Sequence, residues 1–385
     1  MEVYLDHAAT TPVDPEVLKD MMPYFTEEFA NANSQHHFAR KPQAAMDRAR
    51  QQTAEALGCK PNEVYFTGSG SEANTWALKG IAFARQERGR HILISSIEHP
   101  SVMNSGVWLS RNGFEVEKLE VTPEGFVTVD ELRRKIRKDT VLVSVMLANN
   151  EIGTLEPVKE LAEATHEAGA LFHSDCVQAV GAVPVNVKEL KVDLATCSAH
   201  KFYGPKGVGA LYIRNGIKVD KLIAGGGQER TMRGGTSNVP GIVGMGSAIE
   251  RAVREMSETS DRIRELRDHF IARVEKEIPY AHLNGDRVKR LPNNVNFTFE
   301  FVEGESILMT LDLAGVAVSS GSACSSGSLD PSHVLLAIGV PVETAHGSIR
   351  FTLGKHTTAE QLDYTVEQLK KTIEKLRRMS PLYKN

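Results

Sequence analysis

Lys201 closes a short apolar run, Val192 to Ala199, and is followed by a turn at Gly204 and Pro205, so the spacing predicts a lysine at a strand's end. Small residues and the imidazole of His200 surround it. Partial desolvation there favours the neutral, nucleophilic amine that a Schiff-base lysine needs. Upstream, Asp175 ends another apolar run, Ala170 to Ser174, with the amide of Gln178 just beyond. The interval fits a strand end, a crossover and a second strand, so in an open parallel sheet both residues face one crevice. An amine and a carboxylate so placed suit pyridoxal phosphate, the lysine bonding the aldehyde and the carboxylate keeping the ring nitrogen protonated. Taken singly, Lys201 reads as a solvated loop lysine and Asp175 as a helix cap or a loop residue.

A phosphate needs a cradle, and the stretch from Tyr65 to Asn74 reads as strand, Gly/Ser turn and helix start. Backbone N–H groups at a helix N-terminus bind phosphate, which selects Gly70 and Ser71. The segment is neither a Walker loop nor a GxGxxG fingerprint, and its ordinary reading is a helix cap with Ser71 as N-cap. His99 follows the strand Ile92–Ser95, in a loop at the same face, where its ring could stack on a pyridine. Arg350 carries the planar fork of donors that clamps a substrate carboxylate, or alternatively forms a surface ion pair on an edge strand. Cys324 sits among small residues from Ser319 to Ser328 that form no core and predict a flexible loop.

The elements that would position these groups are legible. Asp14 before Pro15 announces a helix. A helix from about Gln43 to Leu57 stops at Gly58. From Glu63 the pattern is βαβα: strand Val64–Phe66, helix 71–87, strand His91–Ser95, helix 101–111, strand Phe114–Val121, helix 129–138, strand Thr140–Leu147, helix 157–168, then strands 170–174, 193–198 and Gly209–Ile213. This alternation predicts an α/β fold with a mainly parallel sheet covered by helices on both faces. Charged, helix-favouring sequence near 248–276 predicts one long helix or two. Strand Asn294–Phe299, helix 304–313, strand Val316–Ser319, helix 332–338, strand Ser348–Thr352 and a terminal helix 359–378 form a smaller α+β unit. The expected division is a large domain over 14–255 and a small one over 256–385 joined by 1–13.

Eight stretches, in order, carry a resemblance that runs nearly end to end: Tyr4 to Pro12, Thr67 to Asn74, Glu98 to Pro100, Asn149 to Gly153, Asp175 to Gln178, Ser198 to Lys201, Arg233 to Thr236 and Ser319 to Gly327. The chain resembles the class V aminotransferase superfamily, fold type I pyridoxal-phosphate enzymes, and within it the cysteine desulfurases of the NifS/IscS type. The resemblance implies that L-cysteine is converted to L-alanine with a persulfide on Cys324. It implies that His99 stacks on the cofactor and helps move protons with Lys201, and that Asn150 donates to the cofactor's phenolic oxygen or to the substrate. Ser198, His200, Gly70 and Ser71 would hold the phosphate, Gln178 would contact the cofactor, and Arg350 would take the substrate carboxylate. Thr236 would reach the neighbouring subunit's phosphate in a homodimer. The sulfur would pass to an iron-sulfur scaffold protein or a tRNA-thiolating enzyme. The loop Ala30–His37 departs from the family's Gly-Asn-Pro-Ser-Ser pattern and is assigned no role. A selenocysteine lyase, another superfamily member without need of Cys324, and a catalytically silent scaffold are the alternatives.

Composition is compatible with these readings. With 385 residues, 41% hydrophobic and 24% charged, the chain supports two domains and a sizeable core. A net charge of -4 argues against nucleic acid as a main partner. No apolar run reaches membrane-helix length and the start lacks a targeting pattern, so a cytoplasmic location is expected. Four cysteines without a CxxC predict neither a disulfide framework nor a metal site.

Overall fold

The computed structural model describes residues 1–320, 331–381 and 383. Cys324 lies outside the described residues. Twelve strands are found among those described: β1 (Val3–Tyr4), β2 (Val64–Thr67), β3 (His91–Ser95), β4 (Glu115–Leu119), β5 (Thr140–Ser144), β6 (Leu171–Asp175), β7 (Leu194–Ser198), β8 (Gly209–Ile213), β9 (Ala281–Leu283), β10 (Asn294–Phe299), β11 (Val316–Ala317) and β12 (Ser348–Thr352).

Seven of them form one sheet in the order β2-β8-β7-β6-β5-β3-β4. β8 runs antiparallel to both β2 and β7, and the other pairings are parallel. β3, β5, β6, β7 and β8 are buried along their whole length, as expected where helices cover both faces. One face packs Trp76, Leu78 and Ile81 of the helix Gly70–Ala84 against Ile92, Leu142 and Leu211. The other packs Met46, Ala49 and Leu57 of the helix Arg40–Leu57 against Phe66, Val143 and Phe172. That helix ends, as the sequence predicts, at Gly58, whose φ of +69° is the left-handed cap conformation open to glycine.

The smaller unit is built on β12-β10-β9, all antiparallel, whose apolar residues meet the helices Gly304–Leu313 and Ala359–Met379 around Phe297, Phe299, Phe351 and Leu369. β9 and the short helix Val342–Ala345 were not expected, and the amphipathic run from Val17 to Phe25 divides into the helices Pro15–Met21 and Pro23–Thr26. The charged stretch is one helix, not two, running unbroken from Val239 to Glu277. At 1.5 Å per residue it is about 60 Å long. Its first turns bury Ile242, Met245 and Ile249 with the large sheet, and its last turns bury Phe270, Ile271 and Val274 with the small one. A boundary at residue 255 falls inside this helix.

The start of the chain ties the two units together. β1 pairs in parallel with β11, Asp6 bridges to Thr352, and Ala8 N–H donates to Thr352 Oγ1 at 2.8 Å. Next, Thr11 N–H donates to the His200 carbonyl at 3.0 Å and Asp14 N–H to the Tyr203 carbonyl at 3.0 Å. Asp14 also caps the helix Pro15–Met21, accepting from Glu16 N–H at 2.9 Å. Residues 5 to 14 therefore cross from the small unit to the loop that carries Lys201. No described helix is long and apolar enough to cross a membrane.

Candidate active site

The carboxyl ends of β2, β3, β5, β6 and β7 open into one cleft of about 590 Å³, with Asp6 to Thr10 and Arg350 on the side of the small unit. Lys201, Asp175, Gln178, His99, Gly70, Ser71, Asn150, Ser198, His200 and Arg350, all named from the sequence, line it. Thr236 does not line it; that residue is exposed. The volume is that of an ordinary small-molecule site.

Lys201 follows β7 in a single helical turn, Ala199–Lys201, which turns its side chain back across the strand ends. Its Nζ donates to the carbonyl of Ala8 and, at 2.8 Å, to that of Ala9. His200, beside it, has Nδ1 3.1 Å from Thr10 Oγ1. Burial first, then the nearby ammonium groups of Lys201 and Lys206, lowers the His200 pKa to about 4, so this ring is neutral at physiological pH.

Asp175 ends β6 with its carboxylate almost wholly buried. Val177 N–H donates to Oδ1 at 2.9 Å, and Asn74 Nδ2 to Oδ2 at 2.6 Å. The turn before the helix Gly70–Ala84 is capped by Ser69, not Ser71: Ser69 Oγ accepts from Glu72 N–H at 3.1 Å. Ser71 is thereby left on the cleft wall. Gly70 stands in a tight place: a Cβ there would lie 3.0 Å from Val177 Cγ2 and 3.3 Å from Ser198 Cβ, and those side chains would have to give way by a few tenths of an ångström. Glu72 holds the turn by accepting from Gly68 N–H at 2.8 Å and both arms of Arg233, at 2.8 and 3.0 Å. The Arg233 to Thr236 segment is thus tied to the outside of the phosphate-sized cradle. A second tie is Glu229, which accepts two bonds from Arg50 and one from Phe66 N–H.

His99 caps the helix Pro100–Arg111. Burial lowers its pKa; Asp175 opposes that shift, while Lys201 and His333 reinforce it. Arg350, on β12, is buried. Its Nη2 is 2.9 Å from Asp6 Oδ1, its Nη1 donates to the Asn150 carbonyl at 3.0 Å, and its Nε has no partner among the described residues. The residue lines the cleft, where a guanidinium suits a carboxylate.

Sequence reasoning missed Asp6, Asn74 as a partner of Asp175, and the carbonyls of Ala8 and Ala9. Tyr4 to Pro12 was recognised as a motif, but its role depends on contacts with residues almost 200 and 350 positions away, which no local pattern records. Cys176 and Cys197 are buried packing residues, as their apolar flanks suggest.

A family model, aminotransferase class V, matches residues 3–365. The chain belongs to the class V aminotransferase family. The class V fold accounts for the type I arrangement of sheet and cleft, and members of the family depend on pyridoxal phosphate. Among curated relatives, the cysteine desulfurase IscS of Dictyoglomus turgidum is 57% identical, over 99% of this chain and 96% of that one. Cysteine desulfurase IscS of Methanosarcina thermophila is 52% identical, over 99% and 94%. A solved NifS-like protein superposes with a TM-score of 0.92 at 38% identity, covering 97% of this chain and all of that one.

The cleft fits the cofactor on its own chemistry. It offers an amine at one strand end, a buried carboxylate at the next, a helix N-terminus cleared of side chain at Gly70, and an orphaned buried acceptor, Asn74 Oδ1.

Proposed function

We infer that this class V enzyme removes sulfur from L-cysteine. The chain is a pyridoxal-phosphate-dependent cysteine desulfurase, giving L-alanine and a persulfide on Cys324. The observation that carries the reading is the meeting of Lys201, Asp175 and Arg350 in one cleft whose rim holds the chain leading to Cys324. Ser319 lines that cleft, in a bridge with Arg350, and Cys324 is five residues further on, a reach of at most about 17 Å.

The assigned roles follow from position. Lys201 anchors the cofactor aldehyde and, once released, carries the substrate's α-proton. Asp175 holds a proton on the ring nitrogen, and Asn74 and Val177 N–H hold Asp175. Gly70, Ser71, Ser198 and His200 bind the phosphate; Gln178 and Asn150 contact the cofactor, Asn150 also facing substrate. His99 covers the ring. The cofactor supplies an electron sink that makes the bonds at the substrate's α- and β-carbons labile. Arg350 takes the substrate carboxylate, which fixes the orientation of the substrate in the cleft. The Cys324 thiolate attacks that sulfur: an S–S bond forms, the C–S bond breaks, and its electron pair stays on carbon and is protonated to give alanine.

The unit proposed is a cytoplasmic homodimer in which Thr236 completes the partner's phosphate site. The persulfide sulfur goes to an iron-sulfur scaffold or a tRNA-thiolating enzyme. The test is stoichiometric. With L-cysteine and a thiol reductant, alanine and sulfide form in equal amounts, and Cys324→Ser abolishes both while the bound cofactor's visible absorption stays. Alanine formation that survives Cys324→Ser points instead to a selenocysteine lyase or an aminotransferase.

A further inference from the structure

Tyr203 has a φ of +64°, in the left-handed region that glycine enters freely and a bulky side chain rarely. It stands where the single turn Ala199–Lys201 ends. Phe202 N–H and Gly204 N–H both donate to the Ala199 carbonyl, at 3.1 and 2.9 Å, and the residue between them bends left to allow it. Glycine would do so without strain, so the side chain has another use. The Tyr203 hydroxyl accepts from Lys355 N–H at 2.6 Å. Lys355 lies three residues beyond the end of β12, the strand of the small unit that carries Arg350. Its ammonium pairs with Asp14 and sits 4.7 Å from the centroid of the Tyr203 ring. The carbonyls of Lys355 and Thr357 accept from Arg262 of the long helix, at 2.5 and 2.9 Å, which fixes the turn that offers this N–H. The backbone of Tyr203 is held too, its N–H donating to Thr11 Oγ1 at 2.9 Å and its carbonyl accepting from Asp14 N–H at 3.0 Å.

One side chain thus joins the turn that presents the Lys201 amine to the end of the strand that presents the Arg350 guanidinium. An α-amino acid must satisfy both places at once, its nitrogen where the Lys201 amine was and its carboxylate at Arg350. Its fit depends on their separation, and small errors of placement are costly in a site that holds a ligand at two points. An amine without a carboxylate needs only the first place. We propose that Tyr203 is a positioning residue that sets the spacing between Lys201 and Arg350, fitting the cleft to α-amino acids over simple amines. This deepens the desulfurase reading and rests on its assignment of Arg350 to the substrate carboxylate. The tie acts on the amino acid and not on uptake of the cofactor, because Asp175, Gly70, Ser71 and Ser198 are placed by β6, β7 and the helix Gly70–Ala84, which Tyr203 does not join to the small unit.

The experiment titrates the holoenzyme with L-alanine, which carries the carboxylate, and with ethylamine, which lacks it, following the visible absorption of the bound cofactor. Tyr203→Phe keeps the ring and loses the acceptor for Lys355 N–H. In that variant L-alanine should bind roughly tenfold more weakly, with ethylamine and pyridoxal phosphate within about twofold of wild type. Tyr203→Gly, which relieves the left-handed strain and removes the tie, should show the same selective loss. In the apoenzyme, hydrogen exchange at the Lys355 amide should quicken by roughly tenfold or more in Tyr203→Phe. Equal weakening of both amines, or unchanged exchange at Lys355, overturns the proposal, as does L-alanine affinity lost in Arg350→Gln but kept in Tyr203→Phe. Affinity kept in both variants sinks the Arg350 assignment and the proposal with it. Failure of L-cysteine to turn over, with the selective loss as stated, sinks the desulfurase reading alone.

Discussion

Asp6 Oδ1 lies 2.9 Å from Arg350 Nη2, although 344 residues of chain separate the pair. The acid stands on the segment that crosses between the two units, and with the Asn150 carbonyl it fixes the orientation of the guanidinium at the cleft wall. Asp6→Ala leaves a buried arginine short of its counter-charge. KM for L-cysteine should rise roughly tenfold, with a smaller change in kcat. An unchanged KM in steady-state assays would show that Arg350 does not bind substrate.

Asp175→Asn removes the charge and sets an amide nitrogen against a donor, either Asn74 Nδ2 or Val177 N–H. We expect kcat to fall by roughly 100-fold or more, since charge developing on the ring loses its partner. Cofactor binding should survive, because Gly70, Ser71, Ser198, His200 and Lys201 are untouched. Equilibrium dialysis and single-turnover rates separate the two effects.

Glu151 is buried, and its carboxyl is pushed up to about 7 by burial; the hydrogen bond from Ser332 Oγ and the charge of Arg350 oppose the shift. Between the ordinary glutamate value and 7, the unfolded chain has released this proton while the native state keeps it. Stability contributed by Glu151 is therefore full below about pH 4.5 and is lost as pH rises to 7, by about 3 kcal/mol over the window. Glu98 and Glu156, also raised by burial, add slope of the same sign. Urea midpoints measured from pH 5 to 8 should fall less steeply in Glu151→Gln than in wild type. Parallel curves would refute this account.

Burial pushes the thiols of Cys59 and Cys197 up to about 12, and that of Cys176 higher still. All three are almost entirely thiol at pH 8 and poor nucleophiles. Iodoacetamide at pH 8 should therefore label Cys324 first in the native enzyme, with Cys176 and Cys197 reacting only after denaturation. Early carboxamidomethylation of either in peptide maps would contradict the packing described.

The large sheet was legible because β3, β5, β6, β7 and β8 are buried apolar runs separated by helical sequence, and each lies within a few residues of its expected bounds. The differences come at the cleft: the strand begun at Thr140 ends at Ser144, and beyond it Val145 and Leu147 N–H still donate to the β6 carbonyls of His173 and Asp175 while Met146 N–H turns to the Glu98 carboxyl. Lys201, Asp175 and His99 were legible because strand ends converge in such sheets, and Arg350, in the middle of β12, from its guanidinium chemistry and the family resemblance. Asp6 and Asn74 were not, because each acts through a partner on another element. Charge pattern could not decide between one helix and two over 239–277, because the exposed middle turns carry no apolar stripe to mark continuity.

β1 is synthesised first, yet its partner β11 follows more than 300 residues later. At ribosomal speed that interval is about 15 to 60 seconds. All seven strands of the large sheet emerge within it, so the floor that receives the vitamin-derived group can assemble while translation continues. The wall bearing Arg350 is synthesised well over 100 residues after the last strand of that sheet. Newborn enzyme thus gains its place for the coenzyme before its place for the amino acid.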